Sequence, residues 1–264
     1  MMWVGGVQGA GKSTVAQVLA TAYDLPVHHV DAFTYVHLDR TSPAPPLDEQ
    51  LALGAGAAAD WWDRITAERL SLVVEDVSAR GLAPVPVVVE GPQLTPAAAD
   101  RLGVERAVWL LVSPEVTARV RRARAEAAGD TASYERVERL SAREAVVVGR
   151  LREDLERTGR PWMQVADDPD WDGVRRWVEE TLDLGSVPRL EPGRALSAQR
   201  RYENDAIATQ VRLWRTSVGL PDPLVLDFAC ECGRSGCRDV WRGTYEEYEE
   251  SRRSTNGIVS PSST

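Results

Sequence analysis

The residues best placed to do chemistry stand near the start of the chain. Gly6-Val7-Gln8-Gly9-Ala10-Gly11-Lys12-Ser13 fits the spacing Gly-x-x-x-x-Gly-Lys-Ser. A short apolar run precedes it and Thr14-Val15-Ala16-Gln17-Val18-Leu19-Ala20 follows, giving the strand, turn and helix that the motif requires. Glycines let the backbone turn its amides inward around an anion. The helix that follows offers free N–H groups and a positive dipole end to the same anion. Lys12 adds a mobile charge for terminal phosphates, and the Ser13 hydroxyl is a hard ligand for Mg²⁺. Gly6, Gly9, Ala10, Gly11, Lys12, Ser13 and Thr14 are therefore the expected phosphate grip. Lys12 is the only lysine among 31 basic residues; the rest are arginine. A coding bias toward arginine accounts for the missing lysines, but not for where the one survivor stands, so position 12 is read as needing an ammonium.

Two carboxylates follow short apolar runs. Asp31 comes after Pro26–Val30, and Glu90 ends Val85–Val89 before Gly91-Pro92. Acidic residues at the carboxyl ends of parallel strands face the ligand crevice of such a sheet. Glu90 can place a hard oxygen on Mg²⁺ directly or through water, or can touch a substrate. Asp39 is a weaker alternative to Asp31. Arg119, Arg121, Arg122 and Arg124 fall on one arginine-rich helix, where Arg119 and Arg122 share a face at spacing i,i+3. Arg139, Arg143 and Arg150 are lesser candidates. His28 and His29 are adjacent in an extended run and so point to opposite faces; packed histidines are the better reading than a shared metal. Trp62 is expected in the core and Trp61, rotated by about 100°, on a pocket wall.

Around the Gly-x-x-x-x-Gly-Lys-Ser motif, residues 1–184 resemble the P-loop kinase-like nucleotide-binding proteins, in particular small-molecule kinases of the nucleoside, shikimate and antibiotic phosphotransferase kind. The resemblance implies a three-layer α/β/α P-loop NTPase fold with strand order 2-3-1-4-5, ATP as phosphoryl donor and Mg²⁺ as its companion. It implies that Asp31 orients or deprotonates the acceptor hydroxyl, and that Arg119 and Arg122 belong to a lid, Arg119 holding nucleotide and Arg122 acting in catalysis. The family more often has aspartate where this chain has Glu90.

The elements that must hold these residues can be read from pattern. Apolar runs at Pro26–Val30, Val85–Val89, Ala107–Val112 and about 162–166 alternate with helical spacings at about 60–79, 114–127, 134–158 and 170–183. On the first of these helices Trp62, Leu70, Val73 and Val77 form one stripe. Strands alternating with helices mean crossover connections and a parallel sheet, hence an α/β fold. Thr41–Pro46 must be loop. Residues 185–196 read as a linker, and 197–252 as a small α+β module with a helix over about 197–216 and a Pro-Asp-Pro turn at 221–223. Thr244-Tyr245-Glu246-Glu247 has the form of a capping box. The tail 253–264, rich in serine and threonine, is expected to be disordered.

The small module carries Cys230-Glu231-Cys232-Gly233-Arg234-Ser235-Gly236-Cys237, similar to a cysteine module of uncharacterised bacterial proteins. Alternation puts the Cys230 and Cys232 thiols on one side, and the glycine turn can fold Cys237 back beside them. Three reduced thiols in a hairpin is the favoured reading. Zn²⁺ on Cys230, Cys232 and Cys237 is the alternative, although structural zinc takes four ligands and the module has no histidine.

Composition trims the remaining choices. The 264 residues are 43% hydrophobic and 27% charged, as expected of a globular protein. Uncharged stretches run to only about ten residues, too short for a bilayer. No secretion signal is visible, and an odd cysteine count fits a reducing cytoplasm. A net charge of −9 and the acidic Glu246–Glu250 run disfavour nucleic acid as a partner. No Asn-Lys-x-Asp motif exists to read guanine, and no strand ends in Asp-Glu as in motor ATPases. The expected function is phosphotransfer from ATP to a hydroxyl of a small molecule (nucleoside, sugar, cofactor precursor or antibiotic), its choice set by residues 32–60. The alternative is an NTP-binding regulatory switch whose cysteine module binds a protein partner.

Overall fold

The computed structural model describes residues 1–127, 134–218, 224–254 and 258; the side chains of residues 124, 125, 127, 134 and 218 are outside the description. The expected turn at 221–223 therefore lies outside the described residues, as does the Arg124 side chain.

Five parallel strands form the main sheet: β1 (Met2–Gly6), β2 (Val27–His29), β3 (Val88–Glu90), β4 (Ala107–Leu111) and β5 (Trp162–Gln164). Their order is β2-β3-β1-β4-β5, with helices on both sides, which is the α/β architecture and strand order expected. Every residue of β1, β3 and β4 is buried, which explains their unbroken apolar character. Glu90 is the exception in type but not in burial. Strand β3 starts at Val88, later than the apolar run suggests. Pro84 and Pro86 have no N–H for a ladder, although the Val87 carbonyl still accepts from Met2 N at 2.8 Å.

The covering helices are α1 (Lys12–Ala22), α2 (Thr34–Leu38), α3 (Leu47–Ala52), α4 (Ala55–Ala79), α5 (Pro96–Arg101), α6 (Pro114–Ala127), α7 (Tyr134–Thr158) and α8 (Trp171–Thr181). Helices α2, α3 and α5 have no counterpart among the helical spacings read from the sequence. The start of α5 was nonetheless written in the chain: Thr95 caps it by accepting from Ala98 N at 3.3 Å, and Pro96 occupies its first turn. Among the described residues no helix is long and apolar enough to cross a membrane.

Beyond the sheet, the segment read as a linker is packed down. Leu184 and Val187 join the main core, and Leu190 N donates to Asp24 O at 2.9 Å. Helix α9 (Arg194–Val218) then runs past β2 and the turn after it. Its far part supports an antiparallel pair, β6 (Leu226–Ala229) with β7 (Val240–Gly243), and α10 (Tyr245–Ser254). Phe228 stacks on Tyr248 at 4.5 Å in a second, smaller core that includes Ala208 and Ile258. The capping box is present in both directions, Glu247 N to Thr244 Oγ1 at 3.2 Å and Thr244 N to Glu247 Oε2 at 2.8 Å. Of the tail expected to be disordered, α10 continues to Ser254 and Ile258 is buried, its carbonyl accepting from Glu231 N at 2.8 Å. Residues 255–257 and 259–264 lie outside the described residues.

Candidate active site

At the carboxyl ends of the strands lies a cavity of about 970 Å³. One end is the turn between β1 and α1. Gly6 leaves β1 at φ +121°, where a Cβ would strike the Leu110 carbonyl of the neighbouring strand. Gly11, at φ +76°, is the N-cap of α1, and no side chain caps it. The first-turn N–H groups of α1 thus remain available to an anion. Gln8, Gly9, Gly11, Lys12, Ser13 and Thr14 line the cavity, whereas Ala10 is buried behind it. Lys12 is only 6% exposed, and its ammonium donates to the Val7 carbonyl at 2.8 Å. The Thr117 hydroxyl of α6 donates to Gln8 O at 3.1 Å and ties that helix to the turn. Trp171, first residue of α8, lies against Gly11, so closely that a Cβ there would strike its indole, and its ring also lines the cavity.

Glu90 is 2% exposed and sits behind this turn. Its Oε1 pairs with His29 Nδ1 at 2.8 Å, and His29 Nε2 meets Gln17 Oε1 at 3.0 Å. Burial pushes the Glu90 carboxyl up. The hydrogen bond and charge of His29, with the Lys12 charge and the Ser13 hydroxyl, outweigh burial and hold it below its ordinary range. Burial opposes protonation of His29, but Glu90, Glu203 and Asp31 raise its pKa overall. The two histidines do point apart. His28 is fully buried, stacks on Phe33 at 4.4 Å and pairs with Tyr202 of α9 at 2.8 Å. His29, by contrast, is not merely packed: it is the direct partner of Glu90, a role the sequence reading missed.

Glu203 of α9 reaches the same seam. It takes hydrogen bonds from Gln17 at 3.4 Å, from Gln199 at 2.5 Å and from Arg200 at 2.8 Å. Helix α9 is therefore part of the support behind Glu90.

The other end of the cavity holds Asp31, in the one-turn helix after β2, whose Oδ1 accepts from Gln93 Nε2 at 3.2 Å. Arg69, 4% exposed in the middle of α4, lines the cavity too; it donates to Val30 O at 3.1 Å and Thr34 Oγ1 at 3.0 Å. Arg143 of α7 is 5% exposed, lies over the Trp62 ring at 4.9 Å and pairs with Glu144 at 2.7 Å. Arg121 of α6 shares that carboxylate at 2.8 Å. The Nε groups of Arg69 and Arg143 are buried without a hydrogen-bond partner among the described residues. Residues Thr41–Leu47 and Gln50 complete the wall, within the stretch expected to set substrate choice.

Some expected residues fall elsewhere. Arg119 is exposed and pairs loosely with Asp167 at 3.6 Å, and Arg122 is exposed; neither lines the cavity, while Arg121 between them does. Asp39 is exposed and also outside the lining. The tryptophans depart from their expected places, and Trp61 is half-buried outside both the core and the cavity lining. Trp62 lines the cavity, while Trp61 carries Arg64 over its ring at 5.1 Å. Arg150 holds α7 to α4 through Asp60 and Asp63 at 2.7 and 2.6 Å. Away from the cavity, Cys230, Cys232 and Cys237 are reduced and lie together. Burial raises the Cys232 thiol, but the Arg234 amide and guanidinium and the neighbouring thiols bring it down to about 7.

No protein-family model matches the chain, and no curated protein does. Solved structures to which it is similar include shikimate kinase from Bacteroides thetaiotaomicron, at 15% identity and a TM-score of 0.43 over 69% of this chain and 97% of that one. A sugar kinase from Janibacter sp. HTCC2649 shares 19% identity at a TM-score of 0.34, over 69% of this chain and 94% of that one. A gluconokinase from Sinorhizobium meliloti 1021 shares 19% at a TM-score of 0.33, over 69% and 90%.

Proposed function

We propose that the protein is a phosphotransferase that moves the γ-phosphoryl group of ATP to a hydroxyl of a small acceptor carrying an anionic group. The supporting observation is that one cavity joins the Gly9–Thr14 turn to Asp31 and two buried guanidiniums, Arg69 and Arg143. The turn amides and Lys12 take the phosphates, Lys12 exchanging the Val7 carbonyl for a phosphate oxygen. The Trp171 indole offers a stacking face for the base.

Ser13 and Glu90 form a hard-oxygen donor set: the carboxylate is kept ionised by its neighbours and touches the Ser13 hydroxyl. These two residues would hold Mg²⁺, which when bound supplies positive charge against the β- and γ-phosphates. Asp31, steadied by Gln93, orients the acceptor hydroxyl and accepts its proton as the new O–P bond forms. Arg69 and Arg143 recognise the acceptor's anionic group, and Arg121 stands close enough to share in the phosphate charge. Residues Thr41–Leu47 shape the remaining wall.

The test is ADP release across a panel of hydroxy acids, sugar acids and their neutral counterparts. Some anionic hydroxy compound should raise turnover far above the basal rate, and Asp31→Asn should lower that stimulated rate by about 10²–10⁴-fold while leaving ATP binding in place. Turnover indifferent to every acceptor would instead favour an NTP-binding switch.

A further inference from the structure

The cysteine turn lies outside the chemistry proposed for the cavity, and it is built with unusual care. One sulfur each from Cys230, Cys232 and Cys237 lies within 4.8 Å of the other two, and no disulfide joins them. A tetrahedral zinc–thiolate centre, with bonds of about 2.3 Å, needs sulfurs roughly 3.8 Å apart. We infer that these three residues form a binding site for one thiophilic divalent ion, Zn²⁺ by chemistry, whose fourth position is filled by an exchangeable ligand.

The sulfurs are brought together by anchors that do not depend on each other. Cys230, the residue after β6, has its N–H on Asp239 O at 2.9 Å, and Cys237 N donates to Arg234 O at 3.3 Å. Gly233, at φ +71°, and Gly236, at φ +65°, make the reversals that fold Cys237 back. Outside the turn, Gly193 N donates to Gly233 O at 2.7 Å, Ser235 Oγ to Asp24 Oδ2 at 2.5 Å and Gly236 N to Asp24 Oδ1 at 3.1 Å. The turn is thus pinned at both ends and on its crest before any ion arrives, which lowers the ordering cost of binding one.

Charge and access agree with this assignment. Three thiolates and Zn²⁺ sum to one negative charge, and the Arg234 guanidinium faces the sulfurs of Cys232 and Cys237. Cys232 and Cys237 are part-exposed, so an ion can enter from solvent, while Cys230 is buried beneath them. Among the described residues no histidine or carboxylate joins the sulfurs, so the site lacks the closed four-ligand shell of a purely structural zinc. Because the crest rests on Asp24, an ion would also lock the turn that leads into β2, the strand carrying His29.

Cobalt reports the site without reference to catalysis. The full chain, reduced and stripped of metal, would be titrated with Co²⁺. One equivalent should produce an intense thiolate-to-cobalt charge-transfer band in the near ultraviolet, and Zn²⁺ should bleach it. Cys232→Ser should weaken cobalt binding by on the order of tenfold or more, since each thiolate contributes directly to affinity. Circular dichroism would show whether that variant folds. If it does not, the wild-type chain still decides: Zn²⁺ should slow the reaction of all three thiols with a disulfide reagent. The absence of a charge-transfer band, together with thiols equally reactive with and without Zn²⁺, would overturn the site, as would a disulfide forming between two of them in preference to metal binding.

Discussion

On the proposed reading, the two ends of the cavity solve the same problem, holding a ligand's negative charge away from bulk water, by opposite means. At the phosphate end the charge carrier is already satisfied: Lys12 donates to its own turn at Val7, and the remaining donors are backbone amides fixed by Gly6 and Gly11. At the acceptor end the carriers are side chains from two separate helices, and the Nε groups of Arg69 and Arg143 are buried without partners among the described residues. A buried donor left unmet costs roughly 1–3 kcal/mol. On the proposed reading the first end is a general grip made by the backbone, and the second a selective one made by side chains that the fold must hold in place.

That contrast can be broken from either side. The largest effect is expected at the phosphate end. Lys12→Ala should cut single-turnover phosphotransfer by about 10³-fold or more, since the lost charge acts on the transferring group. The variant should remain folded, because Glu90 keeps its His29 partner when the Lys12 charge and its hydrogen bond to Val7 O are lost. A melting curve alongside the rate measurement checks both halves.

An intermediate effect is expected at the acceptor end. Arg69→Gln should raise the acceptor KM roughly 10- to 100-fold, the equivalent of one charge-assisted hydrogen bond, with ATP KM nearly unchanged. If both KM values rose together, the two ends would not be separable and the contrast would fail.

The smallest effect on turnover belongs to the seam behind the phosphate end, where α9 covers β2 and the expected change is in stability. Burial there keeps His28 neutral, with its pKa pushed down to about 3. An unfolded chain binds this proton below about 6.5 and the folded one only below about 3, so stability falls as pH drops through that window. The slope contributed is at most about 1.4 kcal/mol per pH unit. Denaturant melts of His28→Asn at pH 4 and pH 6.5 should show a smaller pH difference than wild type. Unchanged KM values for ATP and acceptor would mark the seam as support for the cavity and no part of either end.

How far the sequence discloses these regions follows from what each demands. The phosphate turn is legible because its requirements are local: glycines at fixed positions, one ammonium and a helix start, all within one stretch. The position of Glu90 follows from the apolar run that it ends, whereas the strand order is implied only by the resemblance that the Gly-x-x-x-x-Gly-Lys-Ser motif carries, since apolar runs and crossover rules do not order the strands. The acceptor end depends instead on chain segments far apart. Arg69 reaches Val30 across 39 positions, and behind the other end His29 reaches Glu90 across 61. No spacing rule reports such pairs.

Trp62 shows how a helical wheel misleads. It lies on the same stripe as Leu70 and Val73, but α4 has 25 residues and spans about 37 Å, far longer than any strand it covers. Its early turns pass the end of the sheet, so the stripe that is core in the middle becomes cavity wall near the start. The arginines of α6 show a related limit, Arg119 and Arg122 lying outside the cavity lining. Spacing i,i+3 identifies which residues share a face, but only the packing of α6 on α7 shows that the inward position is Arg121, paired with Glu144.

The solitary lysine gives the chain an unusual chemical signature. With a single ε-amine, itself tucked against Val7, amine-directed reagents have one side-chain amine to meet among the 264 residues. A lysine-directed probe would footprint the phosphate turn alone, its reactivity rising when the ammonium lets go of the loop and vanishing when a ligand takes hold. Any cellular tag attached through a lysine of these 264 residues would likewise have to be written on this turn, at the mouth of the cavity.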